Sequence, residues 1–315
     1  MPAAISIPQR LDRIVRARKG EPGAAWLAAL PSVTDDYLDR WQLTAERVCE
    51  PGGRTSLVVY VRRADGSPAA LKVGMAAPET AHEHTALAHW DGRGAVRLLD
   101  ADTTPEHAVL LLERLHGDIP LRSLPEAKAM LEAAGLLQRL WVAPPPEHPF
   151  PDAGDHARAL HDLLRTRREL PAVAAADVLP LVDEALEAAA GLLASAPPPA
   201  HGRPDHVLLH GDFHHGNVLA ADRMPWLAVD PRPLVGERAW DLAWLARDRM
   251  ETLVGSPGPE AAVRRRLHRL ADSLEVDRTR LRGWTLFRTV EAGIRCLDAG
   301  DTAAAELWLE FAGRL

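Results

Sequence analysis

Cysteine is nearly absent. The two residues, Cys49 and Cys296, lie far apart in a chain of 315 residues and match no metal-ligand spacing. That speaks against a disulfide framework or a thiolate metal centre and predicts a reducing, cytoplasmic setting. A basic surplus is also missing: 37 Lys and Arg face 44 Asp and Glu, for a formal net charge of −7. Nucleic-acid binders carry the opposite balance, so no nucleic-acid partner is expected, and a small cationic one suits the charge better. No stretch approaches the about 18 consecutive apolar residues of a membrane span, and the opening MPAAISIPQRLDRIV is too polar for a signal peptide, so no membrane partner is expected. The chain has no internal repeat and no G-x-G-x-x-G. What it has is 47% hydrophobic residues, typical of a globular protein, in a length sufficient for one large domain or two lobes. Oligomeric state leaves no readable trace.

The texture changes along the chain. Residues 1–40 alternate basic and apolar groups and predict one or two amphipathic helices. From Trp41 to Leu112, short β-rich runs appear: Leu57 to Val61, Ala69 to Val73 and Val109 to Leu112. Asp65-Gly66 predicts a hairpin between the first two. A helix from Glu79 to Trp90 is opened by Pro78. Past Leu115 the chain turns helical, over Pro125 to Val142 and Val178 to Leu193, with Pro-rich breaks at 143–151 and 196–200. Short strands follow at Val207 to Leu209, Val218 to Ala221 and Trp226 to Val229. Helices then run from Ala239 to Arg249, Glu260 to Leu274, Leu281 to Ala299 and Thr302 to Leu315. The pattern is an α+β chain: a small antiparallel sheet over residues 1–112, with a helical extension over 1–40, and a mostly helical part over 113–315.

Chemistry concentrates in HGDFHHGNVL, His210 to Leu219, and in VDPR, which places Asp230 at a strand end. Asp212 and Asn217 stand five residues apart, the spacing by which phosphoryl-transfer loops bring a base and a magnesium ligand to one site. A carboxylate there orients the acceptor hydroxyl and takes its proton. Asn217 and Asp230 together supply the few protein oxygens that magnesium prefers. A polar turn whose Asp and Asn bond backbone amides is the plain alternative for Asp212 and Asn217 taken alone. A transition-metal site on His210, Asp212, His214 and His215, with hydrolytic chemistry, leaves Asn217 and Asp230 unexplained.

Upstream, Lys72 is central in the strand-like AALKVG. Glu83, Leu87 and Trp90 share one helical face, which aims Glu83 at the sheet and at Lys72; Glu79, one turn earlier, competes. A lysine so paired is held extended for the α- and β-phosphates of a nucleotide. PGGRTSLVVYV, with Gly53 and Ser56, offers a backbone N–H loop over phosphates, or a plain Gly-rich turn. In LLLERLHGD, the backbone of Glu113 and Leu115 would meet the nucleotide base. Replacing Lys72 by Ala is expected to weaken nucleotide use with little loss of fold.

Taken in order, the glycine-rich turn, Lys72, Glu83, Glu113 to Leu115, HGDFHHGNVL and VDPR resemble the aminoglycoside phosphotransferase family. GRGAVRLLDAD, LLLER and VDPRPLVGERAWDLA narrow the similarity to its streptomycin 6-phosphotransferase and hydroxyurea phosphotransferase branch. The resemblance covers roughly residues 40–315 and implies a bilobal protein-kinase-like fold. It implies an enzyme that moves the γ-phosphate of ATP, or in some relatives GTP, to a hydroxyl of an aminoglycoside or aminocyclitol and so confers antibiotic resistance. Streptomycin-like aminocyclitols lead, and hydroxyurea or another natural product is the alternative acceptor. Asp212 is then the base, Asn217 and Asp230 hold Mg2+, and Lys72 and Glu83 serve the phosphates. Asp241 would brace the loop through backbone hydrogen bonds, unless it is an ordinary first-turn helix acid. Glu237, Asp248, Glu291 and Asp298, beside Asp212, are the acids available to a cationic acceptor. A non-catalytic nucleotide-binding relative should have lost one of Lys72, Asp212, Asn217 or Asp230.

Overall fold

Alternation of side chains dictates the first half of the molecule. In β2 (Ser56–Arg62), Leu57, Val59 and Val61 are fully buried, and Ala69, Leu71 and Val73 of β3 (Pro68–Met75) face the same way. Successive strand residues point to opposite faces, so these side chains form one apolar surface with Val109 and Leu111 of β5 (His107–Glu113). A helical extension, α1 (Gln9–Arg40), covers it through Leu11, Val15, Leu27, Leu30 and Leu38. Gly20, at φ 57° and ψ −136°, breaks α1 into two helical pieces. The sheet is completed by β1 (Thr44–Val48) and β4 (Leu98–Thr103), in the antiparallel order β1-β2-β3-β5-β4. Sequence reading found neither edge strand, because TAERV and LLDADT are at least half polar and none of their residues is buried.

This computed structural model describes residues 5–195 and 206–315, so the Pro-rich break at 196–200 lies outside the described residues. The chain forms two compact units, Met1–Pro120 with Leu219–Val229, and Leu121–Val218 with Asp230–Leu315. The first unit therefore runs past residue 112. His116–Pro120 makes a strand that pairs with Val218–Ala220, and Trp226–Ala228 completes this three-stranded sheet. Arg223, in the turn between the last two strands, donates to both Glu113 carboxylate oxygens and to the carbonyls of Gly92 and Ala95. The returning segment is thus fastened to the first unit by polar bonds as well as strand pairing.

The helix of the first unit, α2 (Glu83–Trp90), is shorter than the expected Glu79 to Trp90. Pro78–Thr80 is a single tight turn in which Ala81 N–H bonds the Pro78 carbonyl. Glu79 therefore does not sit one α-helical turn before Glu83.

The second unit is built around α10 (Arg278–Asp298), whose Leu281, Trp284, Phe287, Val290 and Ile294 are buried. Two glycines let neighbours approach. A Cβ at Gly283 would stand 2.8 Å from Leu192 of α6 (Leu179–Ala194), and one at Gly293 would stand 2.9 Å from Leu309 of α11 (Thr302–Ala312). Around these pack α3 (Glu126–Leu140), α4 (Ala153–Arg167), α5 (Pro171–Ala175), α7 (Arg238–Arg247), α8 (Met250–Val254) and α9 (Pro259–Leu274). Helix α4 escaped sequence reading because only Ala153, Ala157 and Leu164 are buried; its one signal is Asp152, whose side chain caps it by accepting from Asp155 N–H. The strands Val207–Leu209 and Leu234–Gly236 pair antiparallel, with the HGDFHHGN loop springing from the first.

Candidate active site

In the first unit, Lys72 lies on the sheet face opposite α1, flanked by Val58 and Leu110 on the adjoining strands. Its Nζ meets Glu83 Oε1 at 2.6 Å and Oε2 at 2.7 Å, and both side chains are at most one-tenth exposed. A buried lysine and a buried glutamate each need the other, since an unpaired charge there carries a heavy desolvation cost. Glu83, rather than Glu79, is therefore the partner. At the connector, Glu113 N–H donates to the Arg97 carbonyl, and its carboxylate accepts from Arg97 N–H and binds Arg223. Arg114 reaches back to the carbonyls of Ala69 and Val61 and to Glu46, with its guanidinium over the Tyr60 ring at 4.4 Å. These bonds fix the backbone from Glu113 to Leu115. The glycine-rich turn has local reasons for its sequence. A Cβ at Gly52 would strike Pro8 at 2.7 Å, and one at Gly53 would strike the carbonyl of the buried Ser56 at 2.7 Å.

In the second unit the HGDFHHGN loop is held at both ends by one helix. Asp241, in the first turn of α7, is fully buried and accepts from Gly211 N–H at 2.7 Å, His210 N–H at 2.8 Å and Trp141 Nε1 at 3.3 Å. Burial pushes its carboxyl above the ordinary carboxylate range, against the pull of these three donors. Asp248, at the far end of α7, accepts from His215 N–H at 2.7 Å and lies 2.6 Å from the same residue's ring Nδ1. Burial would raise the Asp248 carboxyl too, but the His215 contacts outweigh it and hold the group below the usual range. Seven residues are nearly two helical turns, so Asp241 and Asp248 share a face.

Between those anchors Gly211 turns at φ 79°, and a Cβ there would come 1.9 Å from the Arg232 carbonyl. Arg232 N–H closes the arrangement on the His210 carbonyl at 2.8 Å. Asp212 follows, with a side chain 15% exposed and Oδ2 3.5 Å from Arg232 Nε. Asn217 Nδ2 donates to the Asp212 carbonyl at 3.0 Å, which turns its Oδ1 away from that bond. Asp230 is exposed and left-handed, at φ 57°, a conformation unusual for a residue other than glycine and commonest at sites that need it. Arg232, seen in the sequence only as part of VDPR, is the neighbour that reading missed.

The four acids assigned to a cationic acceptor are otherwise engaged. Glu237 makes a bidentate pair with Arg280, at 2.5 and 2.6 Å, and accepts from Trp284 Nε1. Asp248 braces His215, as above. Glu291 lies 3.3 Å from Arg295 and 3.6 Å from Arg167, and Arg167 also binds Asp298 at 2.9 Å. Glu237 and Asp248, expected among the acceptor ligands, thus make bonds within the second unit. A separate transition-metal site on the loop histidines finds no support: among the described residues no group of three His, Cys, Asp or Glu could hold a metal ion.

A five-stranded antiparallel sheet carrying a buried Lys–Glu pair, and a helical unit carrying a braced Asp-x4-Asn loop, define a phosphotransferase of the protein-kinase-like class. Residues 40–300 match the family of aminoglycoside/hydroxyurea antibiotic resistance kinases. The chain is 39% identical to a streptomycin 6-kinase of Streptomyces glaucescens, over 95% of its own length and 93% of that protein. It is 36% identical to a hydroxyurea phosphotransferase of Kitasatospora aureofaciens, over 96% and 84%. The fold is shared with an aminoglycoside phosphotransferase from Streptomyces rimosus, at TM-score 0.52 and 20% identity, over 83% of this chain and 97% of that one. The chain belongs to the aminoglycoside/hydroxyurea antibiotic resistance kinase family. It is an enzyme that transfers a phosphoryl group to a hydroxyl acceptor.

Proposed function

We propose that this kinase uses ATP and magnesium to phosphorylate a hydroxyl of streptomycin or a closely similar aminocyclitol, with hydroxyurea as the alternative acceptor. The observation that carries the catalytic part is the loop that Asn217 closes on the Asp212 carbonyl and that Asp241 and Asp248 hold in place. Asp212 accepts a hydrogen bond from the acceptor hydroxyl, orients its oxygen, and takes the proton as the new P–O bond forms and the γ-phosphorus parts from the bridging oxygen, which leaves with ADP. Arg232, at 3.5 Å, keeps that carboxylate directed without locking it. The first unit would serve the nucleotide: Lys72, extended by Glu83, meets the phosphates, and Leu115 N–H meets the base, since Glu113 N–H is already given to Arg97. The turn at Gly53 and Ser56 lies one hairpin from Lys72 and would lie over those phosphates.

The donor set suits magnesium, because Asn217 presents an amide oxygen freed by its own Nδ2 bond and Asp230 an exposed carboxylate. When bound there, the metal would offset negative charge on the transferring phosphate. The acceptor assignment is supported by the two relatives and their near full-length coverage. Among the described residues no helix is long and apolar enough to cross a membrane. Neither Cys49 nor Cys296 forms a disulfide, which fits the reducing, cytoplasmic setting of this proposal. The test is nucleotide consumption by the purified protein with streptomycin and with hydroxyurea, the product being mapped by phosphorus NMR. Inactivity with both acceptors would refute the acceptor assignment.

A further inference from the structure

Arg280 shows how the second unit uses an arginine to hold structure: it donates to both Glu237 carboxylate oxygens, to Ser195 Oγ and to the Leu192 carbonyl. Arg232 is the contrast. Among the described residues its guanidinium makes no hydrogen bond, and its one ion pair is the 3.5 Å approach of Nε to Asp212 Oδ2. The side chain is 46% exposed, so its other N–H groups are open to a ligand beside the base. Exposed arginines such as Arg264 and Arg265 lie on a solvent-facing side of α9. Arg232 differs from them in how its backbone is held.

Arg232 N–H donates to the His210 carbonyl at 2.8 Å. Its own carbonyl packs so closely on Gly211 that a Cβ there would come within 1.9 Å. Pro231 and Pro233, on either side, are both buried. A proline fixes its own φ and restricts the residue before it to extended conformations, so the PRP sequence leaves Arg232 little backbone freedom. Asp230 and Arg232 emerge to solvent on either side of buried Pro231. A guanidinium with unused donors is thus fixed at its root next to Asp212, in the segment that begins with the expected metal ligand Asp230.

Stability does not explain this placement, because a long ion pair on an exposed side chain contributes little. The reaction at Asp212 does explain it. A planar guanidinium matches phosphoryl oxygens in pairs, whereas it would repel a cationic acceptor. We propose that Arg232 is a catalytic residue that holds non-bridging oxygens of the γ-phosphoryl group as this group passes to the hydroxyl at Asp212. This rests on the phosphotransferase reading of Asp212. The ligand is the terminal phosphoryl group of the nucleoside triphosphate. The acceptor oxygen bonds to the γ-phosphorus while the bond from that phosphorus to the bridging oxygen breaks. The hydroxyl proton passes to Asp212, and ADP leaves with the electron pair of the broken bond. Before transfer the guanidinium faces a carboxylate. Once Asp212 has taken the proton that attraction is lost, and the phosphoryl oxygens hold the guanidinium instead. The contact is strongest during transfer, so it acts on rate more than on binding.

The test is single-turnover phosphate transfer by the full-length protein, with magnesium and with streptomycin or hydroxyurea as acceptor. Each variant is run with ATP and with ATPγS, in which sulfur replaces a non-bridging γ-oxygen. Arg232→Ala should lower the rate with ATP by about 10²-fold or more, with ATP affinity and melting temperature nearly unchanged. Arg232→Lys keeps the charge without the planar fork and should remain at least about tenfold below wild type. Sulfur fits the guanidinium bonds poorly, so the ratio of the ATP rate to the ATPγS rate should fall about threefold or more in Arg232→Ala. A variant rate with ATP within about twofold of wild type refutes the proposal. A lower rate with an unchanged ratio also refutes it, leaving Arg232 a positioning residue that acts through Asp212. A wild type that transfers phosphate to neither acceptor overturns the underlying reading and the proposal with it, a result the wild-type control separates from the others.

Discussion

Asp241→Asn is the substitution in which the geometry of the loop sets the size of the effect. The carboxylate accepts Gly211 N–H on Oδ1 and both His210 N–H and Trp141 Nε1 on Oδ2. An asparagine has one acceptor oxygen, so either Gly211 N–H or the other two donors must face an NH2 group. One charge-assisted bond, about 1.5–3 kcal/mol, is then lost, and a buried N–H is left unpaired at about 1–3 kcal/mol. The cost of burying a carboxylate, visible in its raised pKa, disappears at the same time and offsets part of this. The net expectation is a loss of about 2–4 kcal/mol, or roughly 3–6 °C in melting temperature. Because the lost bonds fix His210 and Gly211, just before Asp212, kcat should fall more than tenfold while the KM for ATP changes little. Thermal melts and steady-state kinetics on one preparation decide it. A variant within about 0.5 kcal/mol of wild type, with wild-type kcat, would mean that the Asp241 bonds do not hold the loop.

Two further outcomes follow from buried charge. Lys72→Met removes the cation that meets the buried Glu83 carboxylate, so it should destabilise the protein by about 3–5 kcal/mol, and Lys72→Met with Glu83→Gln should restore most of that loss without restoring activity. This revises the expectation of little loss of fold, since the pair is buried on both sides; urea unfolding of the two variants is the check. Asp248 has a folded pKa below its unfolded value. Its contribution is therefore complete above the unfolded carboxylate pKa of about 4 and is lost as pH falls through the folded pKa. The stability gap between wild type and Asp248→Asn should be constant near neutrality and narrow on acidification below about pH 4. A gap that widens in acid would contradict the assignment.

How much was legible in the sequence differs by element. The central strands were readable because Leu57, Val59 and Val61 alternate with residues of the other face, and Lys72 was readable as the polar interruption of AALKVG. The pairing with Glu83 was readable from the helical face it shares with Leu87 and Trp90, all three of which are buried. The edge strands were not, since TAERV and LLDADT owe their strand state to hydrogen bonds with β2 and β5 rather than to burial. In the second unit Asp212 and Asn217 stood out by spacing, and Asp241 only through the family resemblance. The roles of Glu237 and Asp248 did not, because an acid on a helix end gives no sign of whether Arg280 or His215 will meet it.

The central claim is that Asp212 acts as the base of a phosphotransferase. Its most direct measurement is the single-turnover rate of Asp212→Asn with ATP, magnesium and streptomycin or hydroxyurea, set beside equilibrium binding of ATP to the same variant. The account predicts a rate reduced by about 10²–10⁴-fold, with ATP affinity and melting temperature close to wild type. A variant that transfers phosphate at near the wild-type rate would contradict it.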